Sequence, residues 1–168
     1  GVPKCMKKYK GMNQPPVPYG NQTELKHGYD VEKGYKQIRG ELTEGRYLTL
    51  ETYSHALSHK GNKLGSASSS HQKNSDDELF VVHWLGHQPK DHRFHIATSG
   101  GKNASYVKDD LSLTSSKSQA GTFTFDYKSS AKGFSIKVGD KYLSMDEDGS
   151  VKTVKNGATT FTLYSVTK

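Results

Sequence analysis

An all-β fold is predicted by three features of the 168-residue sequence. From about Tyr35 onward, short apolar segments are separated by Gly, Ser, Asn and Asp, which is the pattern of short strands joined by turns. Hydrophobic residues make up only 32% of the chain, and this low content disfavours a large helical bundle or a doubly wound α/β enzyme. An aromatic strand pattern also recurs three times along the chain.

Three blocks of the chain end in similar strands, which are Phe80–Trp84, Phe123–Tyr127 and Phe161–Tyr164. Each block also contains three earlier apolar segments, so a block offers four strands in about 40 residues. A propeller needs about four or more blades to close, so three blocks predict a β-trefoil over residues 35–168. The earlier segments are Tyr35–Ile38, Arg46–Leu50 and Ala56–Leu57; then Phe94–Ile96, Ser105–Val107 and Leu111–Leu113; then Phe134–Ile136, Lys141–Met145 and Val151–Val154.

Alternate residues of the three last strands are predicted to face the core, because successive side chains of a strand point to opposite faces. Closure of the trefoil is predicted to pair Tyr35–Gly40 with Phe161–Val166, which leaves no open sheet edge. The inward-facing residues are Phe80, Val82, Trp84, Phe123, Phe125, Tyr127, Phe161 and Leu163.

The segment His59–Asp77 is predicted to be an inserted surface loop. Tyr47 and Phe80 are 33 residues apart, whereas the matching positions of the other two blocks are 17 and 19 residues apart. The excess is rich in Ser, Asn, Lys and Gly, which is typical of loops.

Residues 1–34 are predicted to form an extended arm. Met12–Gly20 is rich in Pro and has neither a strand nor a helix period. The first ten residues carry four lysines and no acidic residue, in a chain of net charge +7. The single cysteine, Cys5, has no partner for a disulfide within the chain. Asn21 and Asn103 begin Asn-x-Ser/Thr sequons and are predicted glycosylation sites.

Neither a catalytic nor a metal-binding constellation is recognisable in the sequence. His83 and His95 fall on predicted strands and face away from the apolar set, and the spacing of His55 and His59 joins two imidazoles only on a helix. Solvated surface histidines are therefore favoured over a metal site. The carboxylates of Asp146–Asp148 fall at a turn, where Asp favours the local backbone. Motifs for nucleophiles, phosphates and dinucleotides are absent, so no catalysis and no cofactor are expected.

Aromatic side chains are the remaining binding candidates, because sugar sites combine an aromatic platform with a few polar groups. The candidate ligand-binding residues are Tyr53, His55, Trp84 and Tyr127. Alternation places Trp84 with Phe80 in the core, whereas Tyr53 does not belong to the predicted core set and is the better candidate for a binding platform. A nucleic-acid ligand is not expected, because the aromatic residues are not interleaved with a Lys/Arg stripe. No apolar run approaches the ~20 residues of a transmembrane helix.

Several segments carry a resemblance to a known family. They are Pro15–Gly20, Gly34–Gly40, Leu42–Leu48 and the ending Phe161–Val166. The chain resembles the C-terminal β domain of secreted fungal phosphoesterases, the phospholipase C and acid phosphatase-like family. The resemblance implies a secreted accessory module that is C-terminal to a metal-dependent hydrolase domain, with Cys5 paired to an upstream cysteine. No catalytic or metal-binding residue of that family matches a position of this chain.

These observations predict a non-catalytic module that binds a carbohydrate or an anionic cell surface. Such binding would hold an attached enzyme near its substrate and raise the effective concentration. Two alternatives stay open. One is a trefoil-type protease inhibitor that presents the His59–Asp77 loop, and the other is a structural accessory domain with no ligand of its own.

Overall fold

The structure is a computed structural model that describes residues 22–25, 42, 44–68, 75–86, 92–98 and 101–166. Over these ranges the regular elements are antiparallel β-strands and three-residue 3-10 helices, which confirms the predicted all-β fold. The strands are β1 (Gln22–Glu24), β2 (Tyr47–Thr52), β3 (His55–Ser58), β4 (Gly65–Ser68), β5 (Phe80–Trp84), β6 (Arg93–Thr98), β7 (Tyr106–Val107), β8 (Leu113–Thr114), β9 (Phe123–Lys128), β10 (Gly133–Val138), β11 (Lys141–Met145), β12 (Val151–Val154) and β13 (Thr162–Val166).

The strands from β2 onward form three units of four with one repeated pairing scheme. Within each unit the first strand pairs with the second and the second with the third, as in β2–β3–β4, β6–β7–β8 and β10–β11–β12. The first strand also pairs with the fourth, β2 with β5 and β6 with β9. In the last unit this contact is the bridge between Phe134 and Phe161, which has two backbone hydrogen bonds of 2.8 Å.

The first unit begins at β2, twelve residues later than the sequence predicts. From the first to the fourth strand the units run from residue 47 to 80, 93 to 123 and 133 to 162, which are similar intervals of 33, 30 and 29 residues. The prediction that His59–Asp77 is an insertion in the first unit is therefore wrong. The segment contains β4 and the buried Leu64. The small residues of β4, Gly-Ser-Ala-Ser, carry no β-propensity signal, so pairing with β3 alone defines this strand.

The predicted pairing of Tyr35–Gly40 with Phe161–Val166 is also wrong. Strand β13 pairs with β2, with Leu163 opposite Leu50, and its other edge pairs with β1. The predicted strand Tyr35–Ile38 lies outside the described residues. Within the predicted arm, β1 joins the sheet and the following Leu25 is 1% exposed. The proposed boundary at residue 34 stays a prediction.

One hydrophobic core contains all six phenylalanines of the chain, each at most 1% exposed. It includes the predicted positions Phe80, Val82, Phe123, Phe125, Phe161 and Leu163, and Trp84 and Tyr127 pack against its edge. The strand alternation predicted for the three last strands is thus confirmed. Edge-to-face contacts, such as that of Phe94 and Phe125 at 5.5 Å and 88°, fill the centre.

The predicted hairpin turn after Met145 is confirmed, and the same turn recurs after β7. In both turns an aspartate Oδ1 accepts the N–H of the serine two residues later, Asp110 with Ser112 and Asp148 with Ser150, at 2.9 Å. The residue between them has a positive φ, 71° at Leu111 and 94° at Gly149. The short sequence Asp-x-Ser therefore marks equivalent turns in two of the three units, in addition to the recurring aromatic strands.

Candidate functional site

The four residues predicted to bind a ligand do not share one location in the sheet. Tyr53 and His55 belong to the hairpin between β2 and β3, Trp84 ends β5, and Tyr127 lies on β9. The ring of Tyr127 meets Phe134 edge-on at 5.2 Å, and Trp84 packs against the same core. Both rings are therefore committed at least in part to packing, and the binding role of all four residues stays a prediction.

Tyr53 lies at the tip of the β2–β3 hairpin in a strained turn. Tyr53 and Ser54 have φ of 51° and 60°, the pattern of a type I′ turn, which normally takes Asn-Gly. A left-handed conformation costs a non-glycine residue roughly 1–2 kcal/mol. Tyr53 is 50% exposed and is the single exposed large hydrophobic residue among those described. The hairpin tip thus presents an aromatic ring to solvent.

His55 is held between that tip and the turn after β11. Its Nδ1 lies 2.8 Å from the carbonyl oxygen of Tyr53, so Nδ1–H donates to that oxygen. On the other side, a Cβ placed on Gly149 would lie 2.8 Å from His55 Cδ2, which means that only glycine leaves room for the ring. Ser66 Oγ donates to the Gly149 carbonyl. We call Tyr53, His55, Ser66, Asp148 and Gly149 the Tyr53 surface.

Asp148 contributes a carboxylate to the Tyr53 surface. The Ser150 backbone N–H, the Ser150 hydroxyl and the nearby His55 hold the pKa of Asp148 below its ordinary value. Hydrogen bonds and a positive neighbour favour the charged form of a carboxylate. Asp148 is therefore an ionised hydrogen-bond acceptor at neutral pH, on a residue that is exposed.

A separate cleft of about 240 Å³ opens on the outer face of the sheet. It follows from a register row that crosses four strands: Tyr47 of β2 faces Val81 of β5, Val81 faces Ala97 of β6, and Ala97 faces Tyr106 of β7. Tyr47, Val81 and Tyr106 of this row line the cleft, whereas Ala97 is fully buried and is not part of the lining. We call this space the His83 cleft; its lining includes Tyr47, Val81, His83, Thr98 and Tyr106.

His83 is oriented in the cleft by Glu44. Glu44 Oε2 lies 2.9 Å from His83 Nδ1, and Glu44 Oε1 accepts the backbone N–H of Trp84 at 2.6 Å. Because a carboxylate accepts hydrogen bonds, Nδ1 carries the proton. The other ring nitrogen, Nε2, has no bonding partner among the residues that the structure describes.

His95 lies directly opposite His83 in the β5–β6 register. Its Nδ1 is buried without a hydrogen-bond partner in the described part of the chain, and its ring meets Tyr106 edge-on at 6.1 Å. Burial, the positive charge of Lys117 and the neighbouring His83 lower the pKa of His95. His95 is therefore a neutral imidazole beside the cleft at neutral pH. Neither histidine belongs to the hydrophobic core, as the strand alternation predicts.

A second cleft, of about 380 Å³, lies between the turn after β7 and the hairpin of β10 and β11. Asp109, Asp110, Asp140, Lys141 and Thr153 are among its lining residues. Asp110 is committed to its own turn, since both the side chain and the backbone N–H of Ser112 bond to it and lower its pKa. The absence of an aromatic residue from this lining makes it a poorer sugar site than the His83 cleft.

Other predicted features fall partly inside the described ranges. Asn103 is exposed in the 3-10 helix Gly101–Asn103, so its side-chain amide is accessible; Asn21 and Cys5 lie outside the described residues. Where the structure describes the chain, no three His, Cys, Asp or Glu side chains are grouped to hold a metal ion. No helix in those ranges has the length and apolarity needed to cross a bilayer.

The sequence analysis missed the residues around His83. The residues around His83 come from separate parts of the chain that meet only through strand pairing, so no local spacing connects them to His83. They are Glu44, Tyr47, Thr98 and Tyr106. The alternation of β5, which places Val81 and His83 on the face opposite Phe80, was the one available signal. Comparison of the chain with protein-family models, with curated proteins and with solved structures finds no match.

Proposed function

We propose that this chain is a non-catalytic module that binds a neutral sugar in the His83 cleft. The observation that carries the proposal is the aromatic-walled space between Tyr47 and Tyr106, with His83 held in one orientation by Glu44. Sugar rings have apolar faces that pack on aromatic rings, and their hydroxyls need a few well-placed polar groups. Because Nδ1 faces Glu44, Nε2 is the ring nitrogen that His83 presents to a sugar hydroxyl.

The distribution of charge favours a neutral ligand over an anionic surface. The described residues contain 13 Lys and Arg and 13 Asp and Glu, so their formal charges cancel. The whole excess of +7 belongs to the rest of the sequence, in which Lys4, Lys7, Lys8 and Lys10 are prominent. An interaction with anionic surfaces would therefore depend on those segments and would weaken with salt.

The proposed fold of the module is a β-trefoil. The pairs β2–β5, β5–β6, β6–β9, β9–β10 and β13–β2 link six strands in sequence. The two hydrogen bonds between Phe134 and Phe161 connect β10 to the start of β13 and so join the ends of this series. Three two-stranded hairpins, β3–β4, β7–β8 and β11–β12, extend from the six strands once per unit. This threefold scheme supports the trefoil.

The resemblance to secreted fungal phosphoesterases supplies a context for the binding. In that proposal the module is secreted, follows a hydrolase domain and holds it near cell-wall or membrane substrate, which raises the effective concentration. The protease inhibitor that presents the His59–Asp77 segment stays an alternative, and part of that segment lies outside the described residues. A structural domain without a ligand remains an outcome of the test.

The test is retention of the full 168-residue chain on insoluble β-glucan, on chitin and on anionic liposomes, at low and high salt. We expect salt-resistant retention on a polysaccharide. Tyr106→Ala should reduce it by about tenfold, equal to roughly 1.4 kcal/mol, whereas Tyr142→Ala on β11 serves as the matched control and should not. Thermal melts of both variants establish that they are folded.

Two results would contradict the proposal. Retention on liposomes alone, lost at high salt, would assign binding to the basic segments. Absence of retention on all three materials would leave a structural domain without a ligand.

A further inference from the structure

We propose that the Tyr53 surface is a second sugar-contact site, on which the face of a pyranose ring stacks on Tyr53 and its hydroxyls bond to His55 and Asp148. This goes beyond the proposed function because it involves other residues, on the β2–β3 hairpin and the turn after β11, and none of the residues that line the His83 cleft.

The backbone of the tip is the first observation that supports the site. A two-residue hairpin of this type is built most easily from Asn-Gly, yet this chain has Tyr-Ser there, with φ of 51° and 60°. Strained positions of this kind cluster at binding sites, because the surrounding structure must hold them in place. Tyr53 is 50% exposed, so packing of its ring in the core does not account for an aromatic residue in that position.

The groups around Tyr53 are held in place by hydrogen bonds and close packing. His55 bonds to the Tyr53 carbonyl at 2.8 Å, and its ring lies against Gly149, where an added Cβ would be 2.8 Å from Cδ2. Ser66 Oγ bonds to the Gly149 carbonyl. The hairpin tip and the turn after β11 therefore support one another across the first and third units, and a ligand would meet groups that are already oriented.

The chemistry of these groups fits a sugar better than a lipid headgroup. Because His55 Nδ1–H is committed to the Tyr53 carbonyl, Nε2 is the ring nitrogen left to bond a sugar hydroxyl. Asp148 is ionised and exposed, and a carboxylate accepts hydrogen bonds from the hydroxyls of a sugar. The same negative charge repels the phosphate of an anionic lipid. An aromatic ring beside a carboxylate acceptor and an imidazole nitrogen thus favours a neutral polyhydroxyl ligand.

The experiment uses the strain of the turn to separate binding from folding. Tyr53→Asn removes the ring and places a residue that tolerates a positive φ, so we expect its Tm to equal or exceed that of the wild type. Its retention on the insoluble polysaccharide that binds the wild type should fall by at least about fivefold, which is roughly 1 kcal/mol of stacking. Ser54→Gly is the matched control: it relaxes the same turn, keeps the ring, and should bind as the wild type does.

A further variant, Tyr53→Trp, keeps a stacking ring and should restore retention. Wild-type retention by Tyr53→Asn would overturn the proposal, and so would an equal loss in Ser54→Gly. The same measurements distinguish failure of the two sites. Reduced retention of Tyr53→Asn with normal retention of Tyr106→Ala would support the Tyr53 surface and reject the His83 cleft. Normal retention of Tyr53→Asn with reduced retention of Tyr106→Ala would reject the Tyr53 surface. Retention of the wild type on neither β-glucan nor chitin would overturn both.

Discussion

Gly149 illustrates how a single residue sets the geometry of a surface in this protein. Its φ of 94° belongs to the left-handed region, which glycine adopts without a steric penalty. Its missing side chain leaves the space that the His55 ring and Ser66 Oγ occupy, at 2.8 and 2.7 Å from the position of a Cβ. Both the turn conformation and the packing therefore require glycine.

The first prediction separates these two requirements. Gly149→Ala should destabilise the fold more than Gly157→Ala, because Gly157 has a similar φ of 80° but no atom within 4 Å of its Cβ position. We expect a loss of about 1–2 kcal/mol for Gly157→Ala from the conformation alone, and a further loss of about 1–3 kcal/mol for Gly149→Ala from the close contacts. Urea unfolding of both variants measures the difference, and equal losses would show that His55 and Ser66 move aside freely.

At the scale of elements, β4 and its flank show how pairing overrides composition. The segment from residue 59 to 77 has the composition of a loop, yet Leu64 is 4% exposed and belongs to the main core. Its N–H bonds to the Leu111 carbonyl at 2.7 Å, and Lys63 pairs with Ser112. The hairpins of the first and second units therefore meet here, and one apolar side chain anchors the segment.

The second prediction tests that anchor. Leu64→Ala should destabilise the protein by about 2–5 kcal/mol, because the substitution leaves a cavity in a packed core. The neighbouring Lys63 is exposed, so Lys63→Ala should change the free energy of unfolding by less than about 0.5 kcal/mol. Chemical denaturation provides the measurement. Similar small effects of the two substitutions would contradict the anchoring role of Leu64 and favour the surface loop that the composition of the segment predicts.

The Asp-x-Ser turns show the repeat at the same scale. Asp110 and Asp148 occupy equivalent positions after the second strands of their units, and each accepts the N–H of a serine two residues on. The position between them needs a positive φ; it is glycine in one unit and the buried Leu111 in the other. The leucine keeps the left-handed conformation because its side chain is held in the core.

At the scale of the whole molecule, His95 makes stability depend on pH. Its pKa is lowered in the folded state, first by burial, then by Lys117 and His83. The charges that face it are thus Lys117 and His83, the latter paired with Glu44. Because the unfolded chain binds a proton near pH 6.5 and the folded chain resists it, stability is fully present above that pH and is lost as the pH falls toward the folded value.

The third prediction follows from this sign. Tm should fall between pH 7 and pH 5, and His95→Gln should make that decrease smaller. Lys117→Ala should also reduce it, though by less, because burial is the larger cause. Calorimetry at several pH values gives the comparison. A decrease of the same size in His95→Gln and in the wild type would assign the pH dependence to other groups.

The fourth prediction concerns closure of the sheet. Phe134 and Phe161 exchange two hydrogen bonds of 2.8 Å and are fully buried. If these bonds close a six-stranded barrel, their amides open only when the whole molecule unfolds. Their hydrogen exchange should then be as slow as that of the Ile96 amide in β6. Exchange of Phe134 and Phe161 as fast as at an exposed turn would contradict the closed barrel and the proposed trefoil.

The sequence by itself determined the strand class, the threefold recurrence and most of the core. Alternation is a local property, since the side-chain period of a strand is two residues, so Phe123, Phe125 and Leu163 could be assigned to the interior without a structure. The turn at Asp148 and Gly149 was predictable for the same reason, because its residues are adjacent in the chain.

Only the tertiary structure decided which strands are partners. The sequence pattern put Tyr35 at the start of the first unit, whereas β13 pairs with β2, which begins at Tyr47. It also decided that Tyr47 and Tyr106 flank one cleft and that His55 lies against Gly149. These contacts join residues far apart in the chain, and no periodicity within a segment records them, because a strand's partner is selected by the packing of the whole core.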